Sequence, residues 1–254
     1  MRYGIFSDTH GNIEGLTACL AALRAAEVER LICLGDTVGY GANPEECAIR
    51  IRQEADVCIL GNHDAAVADR MDYTYYYDAA RHSLDWCKEQ ISEETLAWLQ
   101  ALPYTHKEGD IEFCHGSPVI PEDFAYVFTR AQALELVPHY DKLARVTFIG
   151  HSHLTRSFAL TRDDAQMVYG SEFQLNPHLK YVVTVGSTGQ PRDYDPRACC
   201  AVFDTQSNLF GYVRCEYDVE KQKNKIIQAG LAYNFGARLL VVAREPGAAL
   251  VIQI

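Results

Sequence analysis

The sequence has no long hydrophobic run and no surplus of basic residues. No stretch of 18 consecutive apolar residues occurs in the 254-residue chain, which argues against a membrane-spanning helix. Lysine and arginine number 23 against 34 aspartates and glutamates, which gives a formal charge of −11. Binding to duplex nucleic acid needs a basic face, so we expect no such partner. A metal-loaded site can still attract one phosphate, so the charge does not exclude a nucleotide substrate.

Motifs of several common enzyme classes are absent or incomplete. The chain contains no P-loop. Gly39 and Gly41 begin a GxGxxG pattern, but Pro44 stands where the third glycine is required. Residues 150–154 come within one residue of a GxSxG nucleophile elbow, in which Leu154 replaces the last glycine. These patterns therefore do not predict a dinucleotide or an acyl-transfer site.

The cysteine pattern and the N-terminus favour a reducing compartment. The nine cysteines are odd in number and contain no CxxC spacing, and Cys33, Cys58 and Cys114 lie inside apolar runs. A free thiol in such a run behaves as a small buried hydrophobe. The first residues lack the apolar region and cleavage site of a signal peptide. We therefore predict a cytoplasmic protein.

The distribution of apolar residues predicts an α/β fold. Hydrophobic residues make up 48% of the chain and charged residues 22%, which is typical of globular proteins. Strand-like and helical segments alternate up to residue 60, whereas strand-like segments with few helices fill the second half. An α/β/β/α four-layer sandwich of two mixed sheets flanked by helices accommodates this pattern. No repeat or linker is visible, so we expect a single domain over residues 1–254. The apolar stretch 238–254 is compatible with an interface strand of a homo-oligomer and with a last core strand.

Five predicted strands are each followed directly by polar residues that could bind a metal. The strands cover residues 2–6, 30–34, 56–60, 111–114 and 145–149. The polar segments are Asp8-x-His10, Gly35-Asp36, Gly61-Asn62-His63-Asp64, His115-Gly116 and Gly150-His151-x-His153. The carboxyl ends of strands are where α/β sheets gather their ligands. A single such segment is weak support for a site, but five in order are not a coincidence.

The residue types in these segments predict a centre with two metals. Carboxylate, amide and imidazole donors without any thiolate suit Mn, Fe or Zn. Seven ligands, one of them a shared carboxylate, are what two adjacent metals need, and such a pair activates water for in-line displacement. The four histidines outside the set, which we interpret as structural or solvated, are His82, His106, His139 and His178.

These five segments resemble the motifs of the calcineurin-like metallophosphoesterase superfamily. The family pattern runs D-x-H, G-D, G-N-H-[DE], a lone His and G-H-x-H, and here it covers residues 8–153. A second segment, Gly186-Ser187-Thr188-Gly189-Gln190-Pro191-Arg192-Asp193, is similar to one in the small prokaryotic phosphodiesterases of that superfamily. The resemblance implies a hydrolase that acts on small phosphodiesters or phosphomonoesters, nucleotides included.

The resemblance also implies roles for individual residues. Asp8, His10 and His153 would hold one divalent ion, while Asn62, His115 and His151 would hold the other. Asp36 would bridge the two, and a hydroxide bridging the metals would attack phosphorus. His63 would be catalytic, stabilising the transition state or protonating the leaving oxygen.

One departure from the family concerns the residue that orients His63. The Ser/Thr phosphatases of the superfamily have a second aspartate in a G-D-x-x-D-R-G segment, and Gly39 stands at that position here. Either Asp64 or some other group orients His63, or nothing does. The departure weakens the case for a phosphoprotein phosphatase. That activity stays an alternative, together with hydrolysis of dinucleoside polyphosphates. A non-catalytic interaction scaffold is a third alternative, although such scaffolds would be expected to lose ligands.

Two further groups of residues are candidates for contact with substrate. Gln190 and Arg192 could grip a phosphate, because arginine binds phosphate through two parallel hydrogen bonds. Equally, Arg192 and Arg197 could pair with Asp193 and Asp195 to fix their loop. The tyrosines between residues 73 and 77 could stack on a base or ester group, but packing against the following helix is the favoured interpretation.

Overall fold

Two six-stranded mixed sheets face one another, with helices on their outer sides. The computed structural model describes residues 1–241. Its strands are β1 (Arg2–Phe6), β2 (Arg30–Cys33), β3 (Val57–Cys58), β4 (Thr105–Glu108), β5 (Ile111–Cys114), β6 (Val146–Ile149), β7 (Thr155–Leu160), β8 (Ala165–Val168), β9 (Glu172–Gln174), β10 (Lys180–Val185), β11 (Ala198–Asp204) and β12 (Leu209–Cys215). Its α-helices are α1 (Ile13–Ala25), α2 (Pro44–Glu54), α3 (Asn62–Val67), α4 (Asp78–Gln90), α5 (Glu93–Ala101), α6 (Arg130–Leu134), α7 (Val219–Gln228) and α8 (Tyr233–Arg238).

Each sheet combines a parallel part with an antiparallel part. The strand orders are β3-β2-β1-β11-β12-β9 and β4-β5-β6-β10-β7-β8. Strands β1, β2 and β3 are parallel, as are β5, β6 and β10, while the remaining pairs are antiparallel. Helices α1 and α2 form the crossovers that parallel neighbours require. The parallel strands of each sheet therefore end at the same edge.

An aromatic layer holds the two sheets together. The Phe148 ring of β6 lies with its centroid 5.4 Å from that of Phe203 and 5.8 Å from that of Phe210, both in the opposite sheet. All three side chains are fully buried. Burial of one such ring contributes roughly 1.5–3 kcal/mol to folding. This layer sets the spacing of the sheets and with it the spacing of the loops that leave them.

The predicted α/β/β/α sandwich is confirmed, with differences at the sheet edges. The third predicted strand, 56–60, pairs with β2 only over Val57–Cys58, because the chain then turns to start helix α3. Strands β4 and β9 were not predicted from the sequence. Each pairs with a single neighbour at the edge of its sheet and is short and largely polar, so it has no buried face to produce an apolar pattern.

The prediction for residues 238–254 falls mostly outside the described residues, which end at 241. Leu239, just after α8, is buried against that helix and α7. None of the helices within residues 1–241 has the length and apolar character needed to cross a bilayer. All nine cysteines lie in the described part of the chain, and none of them forms a disulfide.

Candidate metal centre

The five predicted segments meet where the parallel strands of both sheets end. Three of them follow β1, β2 and β3 of one sheet, and two follow β5 and β6 of the other. Within a sheet, adjacent loops bond to each other: the Asp8 amide donates to Gly35 O (3.0 Å) and the Gly150 amide to His115 O (2.9 Å). Between the sheets, the His151 amide donates to Asp8 Oδ2 at 3.1 Å. One buried cluster therefore draws residues from both sheets.

Several residues of the cluster have a left-handed backbone. They are Asp8 (φ 53°), His10 (φ 46°), Asp36 (φ 53°), His151 (φ 65°) and His153 (φ 58°). This conformation costs a residue with a side chain roughly 1–2 kcal/mol. Such strain persists only where the surrounding structure enforces it, and it concentrates at functional sites. The strained backbone of these loops therefore lowers their local stability but directs these side chains into the cluster.

The first group in the cluster contains Asp8, His10 and His153. The Nε2 atoms of His10 and His153 lie 3.2 Å apart, and His153 Nε2 lies 3.3 Å from Asp8 Oδ1. All three residues are at most 2% exposed. Their donor atoms lie close enough together to hold one metal ion.

The second group contains Asp36, His115 and His151, with Asn62 beside them. His115 Nε2 lies 3.3 Å from Asp36 Oδ2 and 3.2 Å from Asn62 Oδ1. The Asp36, His115 and His151 donor atoms also lie close enough together for one metal ion. These four residues are at most 8% exposed.

Asp36 lies between the two groups. Its Oδ2 atom is 3.5 Å from His10 Nε2 in the first group and 3.3 Å from His115 Nε2 in the second. Its Oδ1 accepts a 2.8 Å hydrogen bond from the His63 amide. The carboxylate is thus held from one side and faces both groups with the other.

The histidine hydrogen bonds show that this donor set fits a divalent cation. The Nδ1 atoms of His10, His115 and His153 lie 2.9, 2.7 and 2.7 Å from the carbonyl oxygens of Val38, Leu34 and Gln190. A carbonyl oxygen only accepts, so each Nδ1 carries a proton, and in the neutral rings of His10 and His153 each Nε2 presents a lone pair. Two such lone pairs, on His10 and His153, face each other. A shared cation satisfies this arrangement, which is the usual orientation of metal-binding histidines.

The pKa values of three cluster histidines and of Asp36 favour the protonation states of metal ligands, whereas those of Asp8 and His115 do not. Burial lowers the pKa values of His10, His151 and His153 well below the usual range, so these rings are neutral. Burial opposes ionisation of Asp36, but the neighbouring His115 and His63 lower its pKa well below the usual range. Desolvation raises the pKa of Asp8 to about 7. Burial opposes a charge on His115, but the carboxylates of Asp36 and Asp8 raise its pKa to about 10.

The His63 ring packs among aromatic rings, and its Nδ1 has no hydrogen-bond partner within the described chain. Its centroid lies 4.5 Å from that of Tyr40 and 4.7 Å from that of His10. A Cβ at Gly39 would collide with His63 Nδ1, so the position of the phosphatases' second aspartate has no room for a side chain. Burial lowers the pKa of His63 to about 4. Neighbouring rings, rather than a carboxylate, therefore set its orientation.

Asp64 bonds to the backbone rather than to His63. Its Oδ1 accepts from the amides of Thr37 (2.9 Å) and Val38 (3.2 Å), and its Oδ2 accepts from the amide of Gly61 (3.2 Å). Desolvation raises its pKa to about 7. Asp64 thus fixes the loop after β2 against the start of α3, and any effect on His63 is indirect.

The predicted arginines divide between the two alternatives. Arg197 pairs with Asp195 at 2.7 Å and pins the loop. Asp193 pairs with Arg214 instead, so Arg192 forms no ion pair in the described chain. The Arg192 guanidinium lines the cavity beside the cluster, and its Nε is buried without a partner. Gln190 does not line that cavity: its side-chain oxygen accepts a 3.1 Å hydrogen bond from Arg192.

A cavity of about 470 Å³ opens next to both groups. Five tyrosines line it, namely Tyr40, Tyr75, Tyr76, Tyr77 and Tyr126. The packing expected of the tyrosines at 73–77 is found for Tyr73, whose hydroxyl bonds to Asp85. It is not found for Tyr75 and Tyr77, which are 72% and 54% exposed.

Two tyrosines of the cavity, Tyr40 and Tyr126, were not predicted from the sequence as site residues. Tyr40 follows the Gly35-Asp36 motif by four residues, and this proximity was a usable signal. Tyr126 lies in a loop with no motif, yet its ring stacks on that of His151 with centroids 3.9 Å apart. The contact between the Tyr126 and His151 rings arises from the tertiary fold and has no signal in the sequence.

Comparison with known proteins agrees with this geometry. Residues 1–208 match the model of the calcineurin-like phosphoesterase superfamily domain. A protein of Methanocaldococcus jannaschii, described as uncharacterized protein MJ0912, is 32% identical over 93% of this chain and 96% of its own. A metallophosphoesterase from Sphaerobacter thermophilus is 31% identical, with a TM-score of 0.82 over 95% of this chain and 98% of its own.

A third relative extends the likeness in fold. The hypothetical protein PH1004 from Pyrococcus horikoshii has a TM-score of 0.75 over 96% of this chain and 99% of its own, at 18% identity. The family match covers well over half of the described fold and includes all five segments that build the cluster. The chain therefore belongs to the calcineurin-like phosphoesterase superfamily and is a metal-dependent phosphoesterase.

Proposed function

We propose that the protein is a phosphodiesterase with two divalent metals that hydrolyses small phosphodiesters. The observation that carries this proposal is the position of Asp36, whose Oδ2 faces a histidine of each donor group at 3.5 and 3.3 Å. One carboxylate between two sets of donors is the arrangement that a pair of metals needs.

Seven residues would hold the ions. Asp8, His10 and His153 would bind the first and Asn62, His115 and His151 the second, with Asp36 shared between them. Mn, Fe and Zn all suit these oxygen and imidazole donors. Divalent ions here would lower the pKa of a water and offset negative charge on the phosphoryl oxygens.

His63 would act on the phosphoryl group from the cavity side. Its ring lines the cavity and belongs to a cluster with His10 and Asp36. Because burial keeps this imidazole neutral, it can donate one hydrogen bond to a phosphoryl or leaving oxygen. Asp64 would be a positioning residue, since it anchors the loop from which His63 projects.

Arg192 would bind a non-reacting phosphoryl oxygen. Its guanidinium faces the cavity, and the side chain of Gln190 holds it in place. Arg192 is the sole lysine or arginine among the described residues that line the cavity. A phosphodiester carries a single negative charge, which matches one arginine beside a metal pair better than a polyphosphate chain does.

Hydrolysis of two synthetic esters tests the proposal. Protein stripped with chelator and reloaded with Mn²⁺ should cleave bis-p-nitrophenyl phosphate faster than p-nitrophenyl phosphate. Asp36→Asn protein purified in parallel controls for contaminating phosphatases. Cleavage of the monoester alone would contradict the phosphodiesterase assignment and indicate a phosphomonoesterase. No cleavage of either ester by protein with two bound metals would contradict the proposal.

A further inference from the structure

The tyrosines around the cavity differ in how they are held. Tyr40 packs against His10 and His63, Tyr76 bonds to Asn62, and Tyr126 stacks on His151. These three support the metal centre. Tyr75 and Tyr77 have no such structural role.

Tyr75 and Tyr77 expose large aromatic surfaces at the mouth of the cavity. Their side chains are 72% and 54% exposed, and their hydroxyls make no hydrogen bond within residues 1–241. Tyr75 touches Tyr76 edge to face, with centroids 5.0 Å apart. Tyrosine combines a large apolar face with low conformational entropy, which makes it suited to binding flat ligands.

The charge around the cavity restricts what such a ligand can carry. Arg192 is the one arginine or lysine among the described residues that line the cavity, and Asp123 adds a carboxylate to the lining. Arg238 interacts electrostatically with Arg192 and Tyr77 but does not line the cavity. A chain of phosphates would need further cations there. A ligand with one phosphate and an uncharged flat group meets both conditions. The volume of about 470 Å³ falls within the roughly 300–1,000 Å³ usual for small-molecule sites.

We infer that Tyr75 and Tyr77 form a stacking site for the base of a nucleoside phosphodiester. This inference rests on the proposed function and names its substrate class: one phosphate, placed by Arg192 next to the metal centre, esterified to a nucleoside. Stacking of a base on an aromatic side chain is worth about 5- to 150-fold in affinity. The site tolerates different bases, because every base has a flat face.

Product analogues isolate the contribution of the base. Binding of adenosine 5′-monophosphate, ribose 5-phosphate and phenyl phosphate to the Mn²⁺-loaded protein is measured by calorimetry and by inhibition of bis-p-nitrophenyl phosphate cleavage. We expect the nucleotide to bind about 5- to 150-fold more tightly than ribose 5-phosphate. Equal affinity of those two ligands would overturn the inference. Phenyl phosphate binding as tightly as the nucleotide would overturn the assignment to a nucleobase.

Variants locate the effect. Tyr75→Ala and Tyr77→Ala should bring the nucleotide close to the affinity of ribose 5-phosphate and leave ribose 5-phosphate binding unchanged. Tyr169→Ala is the matched control, because Tyr169 is 82% exposed and lies outside this cavity. Loss of the nucleotide preference in Tyr169→Ala, or its retention in both other variants, would overturn the inference.

The same experiment separates this inference from the proposed function. Cleavage of the synthetic diester without any preference for the nucleotide would refute the stacking site alone. Absence of cleavage would refute the diesterase, while calorimetry would still measure whether the base adds affinity.

Discussion

The Tyr76 hydroxyl accepts a 2.7 Å hydrogen bond from the side-chain amide nitrogen of Asn62. This contact fixes which end of the amide faces the cluster, and Asn62 Oδ1 consequently lies 3.2 Å from His115 Nε2. An amide can bind a metal only through its oxygen, so the tyrosine selects the productive orientation. Desolvation raises the pKa of this hydroxyl well above its ordinary value, so it stays protonated.

Replacement of Tyr76 by phenylalanine should weaken binding of the second ion. Loss of a partner that orients a metal ligand typically costs 10- to 100-fold in metal affinity or activity, and we expect about 10-fold here. Isothermal titration calorimetry with Mn²⁺ measures the affinity of the second ion. Tyr73→Phe is the control, since that hydroxyl bonds to Asp85 away from the cluster. Equal Mn²⁺ affinity of Tyr76→Phe and the parent protein would refute the role.

Asp36→Asn should reduce occupancy at both metal positions. The carboxylate lies between the two donor groups, so its neutralisation removes a negative ligand from each. Elemental analysis after dialysis should find fewer than two ions per chain. Asp123→Asn, on the cavity wall, should retain two ions. Full two-ion stoichiometry in Asp36→Asn would contradict the shared position.

His63→Ala should retain both ions and lose turnover by roughly 10²–10⁴-fold if His63 is a general acid. The loss should then be smaller for p-nitrophenyl esters than for alkyl esters, because nitrophenolate leaves without protonation. A loss that is equal for all leaving groups would instead indicate stabilisation of charge on the phosphoryl group. His82→Ala is the control, because His82 is exposed on α4.

Glu108→Gln should lower stability at neutral pH without affecting the metal centre. Glu108 bonds to Arg30 at 2.9 Å and to the Tyr3 hydroxyl at 2.8 Å, and so links the two sheets away from the site. Burial opposes ionisation of this carboxyl, but Arg30, His106 and Tyr3 bond to it and lower its pKa below 4.5. Its stabilisation is therefore complete above pH 4.5 and lost as pH falls through the folded-state pKa.

The expected difference is about 1 kcal/mol at pH 7. Urea unfolding of Glu108→Gln and the parent protein, from pH 7 downwards, measures it. The gap should narrow below pH 4.5, and a gap that is constant at every pH would refute the linkage. Exposed Glu122→Gln should match the parent throughout.

The local residue pattern was sufficient to predict the fold class and to predict that the residues of the five segments meet in one cluster. Strands leave a local signal, because buried segments are continuous apolar runs, and each cluster residue directly follows such a run. Parallel strands end at a common edge, so the order of the segments along the chain was enough to predict that residues as distant as Asp8 and His153 meet. Edge strands such as β4 were not predicted, because they lack a buried face and therefore an apolar pattern.

Which groups orient those residues, and which residues surround them, depends on how distant parts of the chain pack together. The carbonyl groups of Val38, Leu34 and Gln190 fix the imidazoles, although a backbone carbonyl carries no sequence signature. Tyr126 reaches His151 from a loop without a motif. Contacts between residues far apart in the chain depend on how the two sheets pack, and no local pattern of residues encodes that packing.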